Sequence, residues 1–243
     1  IELISNYGLF LLKTLTVVIG IIVILSFALS SKKSKSEGNL VVTNVNEELD
    51  NLENNIKQNI LNKKDFKKYI KDKKKNNKVA EKKLFILDFK GNIKASEIVS
   101  LRREISGILL SYKKGDEVIL RLENSGGTVH EHGLAASQLK RIKDKKIPLT
   151  ICVDKVAASG GYMMACVANK IVSSPFAIIG SIGVLAQVPN FNKLLKNKGI
   201  DFEQHTAGNY KRTVTMFGKN TEKDRKKLGE QLEDIHLLFK DFI

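Results

Sequence analysis

The hydrophobic and polar positions along the chain divide it into three stretches. Residues 8–29 are almost continuously apolar, and Lys13 is the one charged residue among them. Residues 31–83 are polar and rich in Lys, Asn and Glu. From Leu84 onward, short apolar runs alternate with segments whose apolar residues recur at helical spacing. We therefore predict an apolar N-terminal segment, a solvated connecting segment and a globular domain over 84–243.

The apolar N-terminal stretch is long enough to cross a hydrocarbon core of roughly 30 Å. We predict a transmembrane anchor over residues 1–30, followed by a basic, partly helical stalk over 31–83. A cleaved signal peptide is the alternative, with its cleavage site near Ala28–Ser30. The Lys-rich sequence SSKKSKS comes directly after the span, and by the positive-inside rule it favours a cytoplasmic position for the rest of the chain.

The formal net charge of +15 bears on the partners of the predicted stalk. The run KKYIKDKKKNNK at 67–78 could bind nucleic acid or anionic lipid headgroups. Nucleic-acid modules usually place aromatic side chains among the basic ones, and here only Phe66 and Tyr69 are available. We therefore expect contact with membrane lipid and no nucleic-acid partner.

The globular domain alternates between strands and helices. Apolar runs predict strands over 84–89, 116–122, 147–153 and 170–174. Helical spacing predicts helices over 95–110 and 132–144, and a short apolar helix at YMMACVA. This alternation is typical of an α/β domain with a mostly parallel sheet.

Two further segments lie in the second half of the domain. The apolar run 175–189 is too short and too interrupted by glycine for a second span, so we predict a strand or loop lining a buried cleft. The last ten residues, DIHLLFKDFI, form an amphipathic pattern without a helix stop signal. We therefore expect the natural chain to continue past Ile243.

Two glycine-rich corners carry the candidate chemistry. The first corner is Asn124–Gly127, after the second predicted strand, and the second corner is Ala158–Gly161, after the third. Ligands of α/β sheets bind at the carboxyl ends of strands, and two such corners can aim backbone N–H groups at one point, as an oxyanion hole requires. Ser159 is then either a nucleophile or simply the N-cap of the following helix.

A nucleophilic serine needs a base, and two kinds of residue could supply it. His130 and His132 lie just after the first corner, which allows a Ser–His pair. Lys211 is the alternative, because it lies among aromatic and apolar neighbours in HTAGNYKRTVTMFG, and a lysine removed from water has a lowered pKa. The non-catalytic alternative is that Lys211 is an ordinary surface lysine beside Arg212.

Four segments resemble the S49 peptidase family: LENSGG, VDKVAASGGYMMACVANKIV, FAIIGSIGV and TAGNYKRT. The resemblance extends from about Leu84 to the end of the chain. It implies a ClpP/crotonase-like fold and hydrolysis of peptide bonds by a Ser–Lys dyad. It also implies homo-oligomers in which the two dyad residues can come from neighbouring subunits.

The resemblance assigns roles to individual residues. Ser159 matches the nucleophile, Lys211 the general base, and Ser181 the hydroxyl that orients the lysine. The backbone N–H groups of Gly127 and Gly160 match the oxyanion hole.

The chain departs from the family pattern at Ser125, where members commonly have proline, and this weakens that half of the predicted hole. We further expect apolar walls to keep the lysine uncharged, formed by Phe176, Ile178, Ile179 and Val184.

The leading hypothesis is a serine endopeptidase anchored by a single span in a bacterial inner membrane, acting on unfolded or membrane-derived peptides. The rivals are a crotonase-type acyl-CoA enzyme and a non-catalytic membrane scaffold. Cys152 and Cys166 do not have metal-ligand spacing, so we expect neither a metal nor a cofactor.

Overall fold

The computed structural model describes residues 2–31, 40–76, 81–208 and 210–243. The chain divides into two compact units, residues 1–66 and residues 67–243.

The first unit is helical. Helix α1 spans Glu2–Ser31 and helix α2 spans Val45–Ile60, while α3, Lys63–Asn76, begins in this unit and continues into the second. Asn44 caps α2, because its side chain accepts a hydrogen bond from the Asn46 N–H at 3.2 Å. The described side chains of α1, residues 8–23, are all exposed.

A helix therefore occupies the predicted anchor. Across the described ranges, however, no helix has both the length and the apolar character that crossing a membrane requires. Residues 32–36 of SSKKSKS lie outside the described residues, as do residues 77–78 of the Lys-rich run.

The second unit contains a parallel sheet of six strands in the described residues. They are β1 Leu84–Gly91, β2 Glu117–Asn124, β3 Leu149–Val153, β4 Val156–Ala158, β5 Lys170–Ser173 and β6 Ile178–Gly180. Strand β1 pairs with one edge of β2, and β3 and β4 pair in succession with the other edge. Strand β5 extends the sheet beyond β3, and β6 extends it beyond β4. All of these pairings are parallel, which confirms the predicted mostly parallel sheet.

The three predicted helices are present as α4 Ile98–Ser111, α5 Val129–Asp144 and α6 Gly160–Ala165. The structure adds α7 Asn192–Asn197, which was not predicted, and α8 Glu222–Phe242, whose last residues carry the predicted amphipathic pattern. Helix α8 begins with a capping box in which Thr221 and Asp224 exchange hydrogen bonds with each other's backbone.

The core lies on one face of the sheet. Alternate residues of β1, β2 and β3 are buried there, and the register brings Leu87 beside Leu120 and Leu120 beside Ile151. Apolar residues of α4, α5 and α6 complete the same cluster. On the opposite face, Asp88 and Arg121 form an exposed bidentate ion pair with two N–O distances of 2.6 Å. The sheet therefore has one covered and one partly open face.

The structure corrects the prediction for residues 175–189. Strand β6 lies there, but the segment does not line a buried cleft, because Phe176 is 97% exposed and Leu185 is 77% exposed. The sequence pattern also misses β4, a strand of three residues that is too short to show an alternation. This strand is what carries the second corner to the carboxyl end of β2.

Candidate active site

The first corner is built on a buried asparagine. Asn124 ends β2 and is 1% exposed, and its Oδ1 accepts a hydrogen bond from the Gly126 N–H at 2.6 Å. Gly126 has φ +89°, a conformation that only glycine adopts readily. Ser125, between them, is exposed to solvent. The side chain of Asn124 therefore fixes the turn that follows β2.

The second corner places Ser159 in a strained conformation. Its φ of +50° and ψ of −120° are uncommon for a residue with a Cβ atom. Its N–H donates to the Gly180 carbonyl at 2.8 Å, and its own carbonyl accepts from the Met163 N–H at 2.9 Å. Ser159 occupies the N-cap position of α6, but its side chain makes no capping hydrogen bond to the helix. The hydroxyl remains available for other chemistry.

The two corners are in direct contact. A Cβ atom added at Gly126 would lie 2.6 Å from the Cβ of Ser159 and 3.0 Å from the backbone nitrogen of Gly160. A Cβ atom at Gly161 would overlap the carbonyl oxygen of Asn124. Glycine is therefore required at both corners for β2 and β4 to bring their carboxyl ends this close together.

The two glycines expected to form the oxyanion hole lie one in each corner, Gly127 in the first and Gly160 in the second. Gly160 is the first residue of α6, and N–H groups in a first helical turn have no partner within their helix. Gly127 packs against the carbonyl of Ile93, which accepts a hydrogen bond from the Thr128 N–H at 3.0 Å. Within the described segments, neither glycine donates a hydrogen bond to another residue. Both groups are therefore free to donate to an oxygen atom of a ligand.

Of the two histidines after the first corner, His132 is not placed to act as the base. His130 is exposed, whereas His132 is fully buried. The two ring nitrogens of His132 lie 3.0 Å from the Thr128 carbonyl and 3.2 Å from the Asn124 Oδ1. Its ring also packs against Gly160, so its contacts are with both corners rather than with the hydroxyl of Ser159.

Lys211 lies on an exposed loop beyond the sheet. It lines an open cleft of about 670 Å³ whose other walls include Val188, Phe202, Val214, Met216 and Phe217. Ser159 is not among the residues that line this cleft. Tyr210 has φ +60°, and the amines of Lys223 and Lys227 each lie 5.4 Å from its ring centre, which holds the loop near α8. Asn209, in the same GNYK sequence, lies outside the described residues.

Among the described residues, no hydrogen bond joins Lys211 to Ser159. Ser181 directly follows Gly180, has φ +59° and is exposed. The prediction that apolar walls shelter Lys211 is also wrong for a single chain. Phe176 and Ile178 are 97% and 64% exposed, and neither lines the cleft of Lys211.

Two further side chains lie on the helix that starts at the second corner. Burial raises the pKa of the Cys166 thiol, and the hydrogen bond with Cys166 raises the pKa of Tyr162. Both effects keep these groups neutral near pH 7. In the segments that the structure describes, His, Cys, Asp and Glu residues form no group that could hold a metal ion.

Fold and site together define a class. The molecule has a parallel α/β sheet, two glycine corners at the carboxyl ends of its strands, and a strained serine in the second corner, an arrangement compatible with a hydrolase. The comparisons with known proteins agree with this class. The chain belongs to peptidase family S49: the family's N-terminal region matches residues 2–139, and its main region matches residues 141–243.

Curated relatives match the whole chain. It is 51% identical to the probable protease SohB of Buchnera aphidicola subsp. Schizaphis graminum, covering 100% of this chain and 75% of that protein. It is 45% identical to the probable protease SohB of Haemophilus influenzae, covering 100% and 74%. Among solved structures, a membrane-bound stomatin-specific protease in complex with a substrate peptide covers 68% of this chain and 67% of its own, with 16% identity and a TM-score of 0.37.

Proposed function

We propose that the protein is a serine endopeptidase that forms an acyl-enzyme on Ser159, with Lys211 as its general base. The observation that carries this proposal is the strained backbone of Ser159, whose hydroxyl caps nothing and lies between two close glycine corners. Membership of peptidase family S49 and the similarity to two probable proteases support hydrolysis of peptide bonds as the reaction.

The proposed reaction proceeds in two halves. Uncharged Lys211 Nζ takes the proton of Ser159 Oγ while Oγ bonds to the scissile carbonyl carbon. The N–H groups of Gly127 and Gly160 donate to the resulting oxyanion. The C–N bond then breaks, and the leaving amine takes the proton from the Lys211 ammonium. In the second half a water molecule gives a proton to Lys211 while its oxygen bonds to the acyl carbon. The bond between that carbon and Ser159 Oγ then breaks, Oγ takes the proton back from the Lys211 ammonium, and the acid product leaves.

We propose that Lys211 acts on Ser159 of a neighbouring copy of the chain. Lys211 is exposed in the protomer and belongs to a cleft that Ser159 does not line. Large apolar side chains are also exposed around β6, notably Phe176, Ile178 and Leu185. Extensive exposed apolar surface is characteristic of interfaces, so a homo-oligomer would cover it. The same contact would exclude water from Lys211 and favour its uncharged form. Ser181 would orient the amine.

We also propose that the N-terminal segment attaches the protein to a bacterial inner membrane. The support is the apolar sequence of residues 8–29 and the exposure of every described side chain of α1, residues 8–23. Anionic headgroups would attract the many lysines of α3, among them Lys67, Lys68, Lys71, Lys73 and Lys74. Unfolded or membrane-derived peptides are then the substrates within reach.

The rival functions fit the site less well. A crotonase-type acyl-CoA enzyme generally needs carboxylates at the corner. Asp116 is the buried carboxylate in the described part of the chain, and it lies just before β2, at the opposite end of that strand from the corners. A non-catalytic scaffold would have no reason to retain a strained serine with an uncommitted hydroxyl, because such strain costs on the order of 1–3 kcal/mol.

The experiment compares the turnover of an unfolded, apolar-rich peptide by Ser159→Ala, Lys211→Ala and Lys211→Arg. Each change is expected to abolish cleavage, and Lys211→Arg does so because a guanidinium cannot accept the proton. Ser137→Ala and Lys219→Ala are matched controls on the exposed surface and are expected to retain activity. Full activity in Ser159→Ala or Lys211→Ala would refute the dyad.

Mixing the two inactive variants tests where the dyad forms. If Lys211 serves a neighbouring copy, Ser159→Ala and Lys211→Ala chains assembled together regain cleavage at mixed interfaces. If the dyad forms within one chain, no mixture regains activity. Recovery of activity at mixed interfaces is the expected result.

A further inference from the structure

Asn124 and His132 form a buried polar pair behind the two corners. Asn124 is 1% exposed and His132 is 0% exposed, and they are two of the three buried polar or charged residues in the described part of the chain. Buried polar side chains are costly unless their partners are complete, so a pair at this depth needs a reason. Neither residue touches Lys211, and neither is required by the proposed proton transfers.

The first corner is tied to this pair on both sides. Asn124 Oδ1 accepts from the Gly126 N–H at 2.6 Å, and the same oxygen lies 3.2 Å from His132 Nε2. His132 Nδ1 lies 3.0 Å from the Thr128 carbonyl. The pair therefore holds the residues on either side of Gly127, whose N–H is half of the proposed oxyanion hole.

The second corner rests against the same two residues. The space where Gly160 would carry a side chain is filled by the ring of His132. The corresponding space at Gly161 is filled by the backbone of Asn124. Gly160 supplies the other half of the proposed hole, so one rigid pair contacts both halves.

The direction of the hydrogen bonds follows from the chemistry. Asn124 Oδ1 is an acceptor for the Gly126 N–H, so His132 can bond to it only by donating from Nε2. The Thr128 carbonyl is also an acceptor, so Nδ1 bonds to it at the same time only when the ring carries a proton on both nitrogens. The bond from Nε2 prevents the amide of Asn124 from rotating and thereby keeps the Gly126 N–H in its observed direction.

We infer that His132 is a positioning residue that, through the Nε2–H bond to Asn124, sets the two oxyanion-hole N–H groups at a common point beside Ser159. The inference rests on the proposed function. Loss of the hydrogen bond from His132 to Asn124 should lower kcat while leaving KM nearly unchanged, because the oxyanion hole acts on the transition state rather than on the bound substrate. A displacement of about 1 Å at such a site costs roughly a hundredfold in rate.

Two amide substitutions, which differ by one methylene, separate this role from a structural one. The amide nitrogen of glutamine reaches about where Nε2 lies, whereas that of asparagine reaches about where Nδ1 lies. His132→Gln can therefore keep the bond to Asn124, and His132→Asn can keep only the bond to Thr128. Leu139→Ala, about two turns further along the same helix and fully buried, controls for loss of stability.

The experiment measures kcat, KM and melting temperature for the full chain and these variants, with Ser159→Ala in parallel. We expect kcat to fall about tenfold or more further in His132→Asn than in His132→Gln at similar KM, and to stay near the parent value in folded Leu139→Ala. The inference is overturned if His132→Asn retains as much kcat as His132→Gln, or if kcat follows melting temperature across all variants. Activity in Ser159→Ala would instead overturn the proposed function itself.

Discussion

Replacing Gly126 by alanine tests how closely the first corner must approach Ser159. The added Cβ would lie 2.6 Å from the Cβ of Ser159 and 2.8 Å from the carbonyl oxygen of Ala158. Carbon atoms in ordinary contact are about 3.5–4.0 Å apart, so one corner must move by roughly 1 Å. The backbone of Gly126, at φ +89°, adds strain that a residue with a Cβ would have to bear.

The cost of backbone strain at positive φ can be separated from the cost of steric overlap by comparing glycines that differ in their surroundings. A left-handed conformation costs a non-glycine residue about 1–2 kcal/mol, and forcing extra volume into a packed site costs about 1–3 kcal/mol. Gly126→Ala should therefore destabilise the protein by roughly 2–5 kcal/mol. Gly199 also has positive φ, at +70°, but nothing lies within 4 Å of its added Cβ, so Gly199→Ala should cost only about 1–2 kcal/mol. Gly133→Ala, on α5 with open space, should stabilise by about 0.5–1 kcal/mol.

The assay is urea unfolding of all three variants, together with peptide turnover of the fraction that remains folded. Turnover should fall roughly a hundredfold in Gly126→Ala, because the corners separate by about 1 Å, and should remain unchanged in the other two. Equal stability losses in Gly126→Ala and Gly199→Ala, or normal turnover by folded Gly126→Ala, would refute the close approach of the corners.

Three further predictions concern stability. Asp116 accepts backbone N–H bonds from Lys113 and Lys83, which lower its pKa below the ordinary 3.8, so its stabilising effect is present above about pH 4 and is lost as the pH falls through the lowered value. Asp116→Asn should therefore melt at a lower temperature than the parent at pH 7, with the difference shrinking in acid; a pH-independent difference would contradict this. Thr221→Ala removes half of a capping box and should cost about 1 kcal/mol in urea unfolding, and no loss would show that α8 does not depend on its cap. Leu120→Ala empties the centre of the core and should cost about 2–5 kcal/mol, whereas a loss below 1 kcal/mol would argue against the packing of β2.

The sequence pattern was a reliable guide where burial is periodic. The strands β1, β2 and β3 alternate or run continuously apolar over five or more residues, and their predicted ranges agree with the observed ones to within about two residues. Strand β4 has three residues and no such pattern, so nothing local distinguishes it from a loop. Its pairing at Asn124 depends on the tertiary approach of the two corners.

The site was predictable only in part, because much of it also depends on tertiary contacts that leave no local sequence pattern. Glycine pairs and a serine after apolar strands indicate a corner where backbones approach closely, and that corner is present. The role of Asn124 and His132 was not evident, because hydrogen bonds to a turn depend on distances that sequence does not carry. Their signal was an asparagine that ends an apolar strand and a histidine eight residues later on a helix. The shelter expected around Lys211 cannot come from its own chain's Phe176 and Ile178, which are exposed.

The central claim is that Ser159 is the residue that becomes acylated. The most direct measurement treats the purified full-length protein with a serine-directed phosphonate and maps the adduct by peptide mass spectrometry. The account predicts one stoichiometric adduct on the peptide that contains Ser159, lost in Ser159→Ala and slowed in His132→Asn. An adduct on another residue, or full peptide turnover by protein whose Ser159 remains unmodified after treatment, would contradict it.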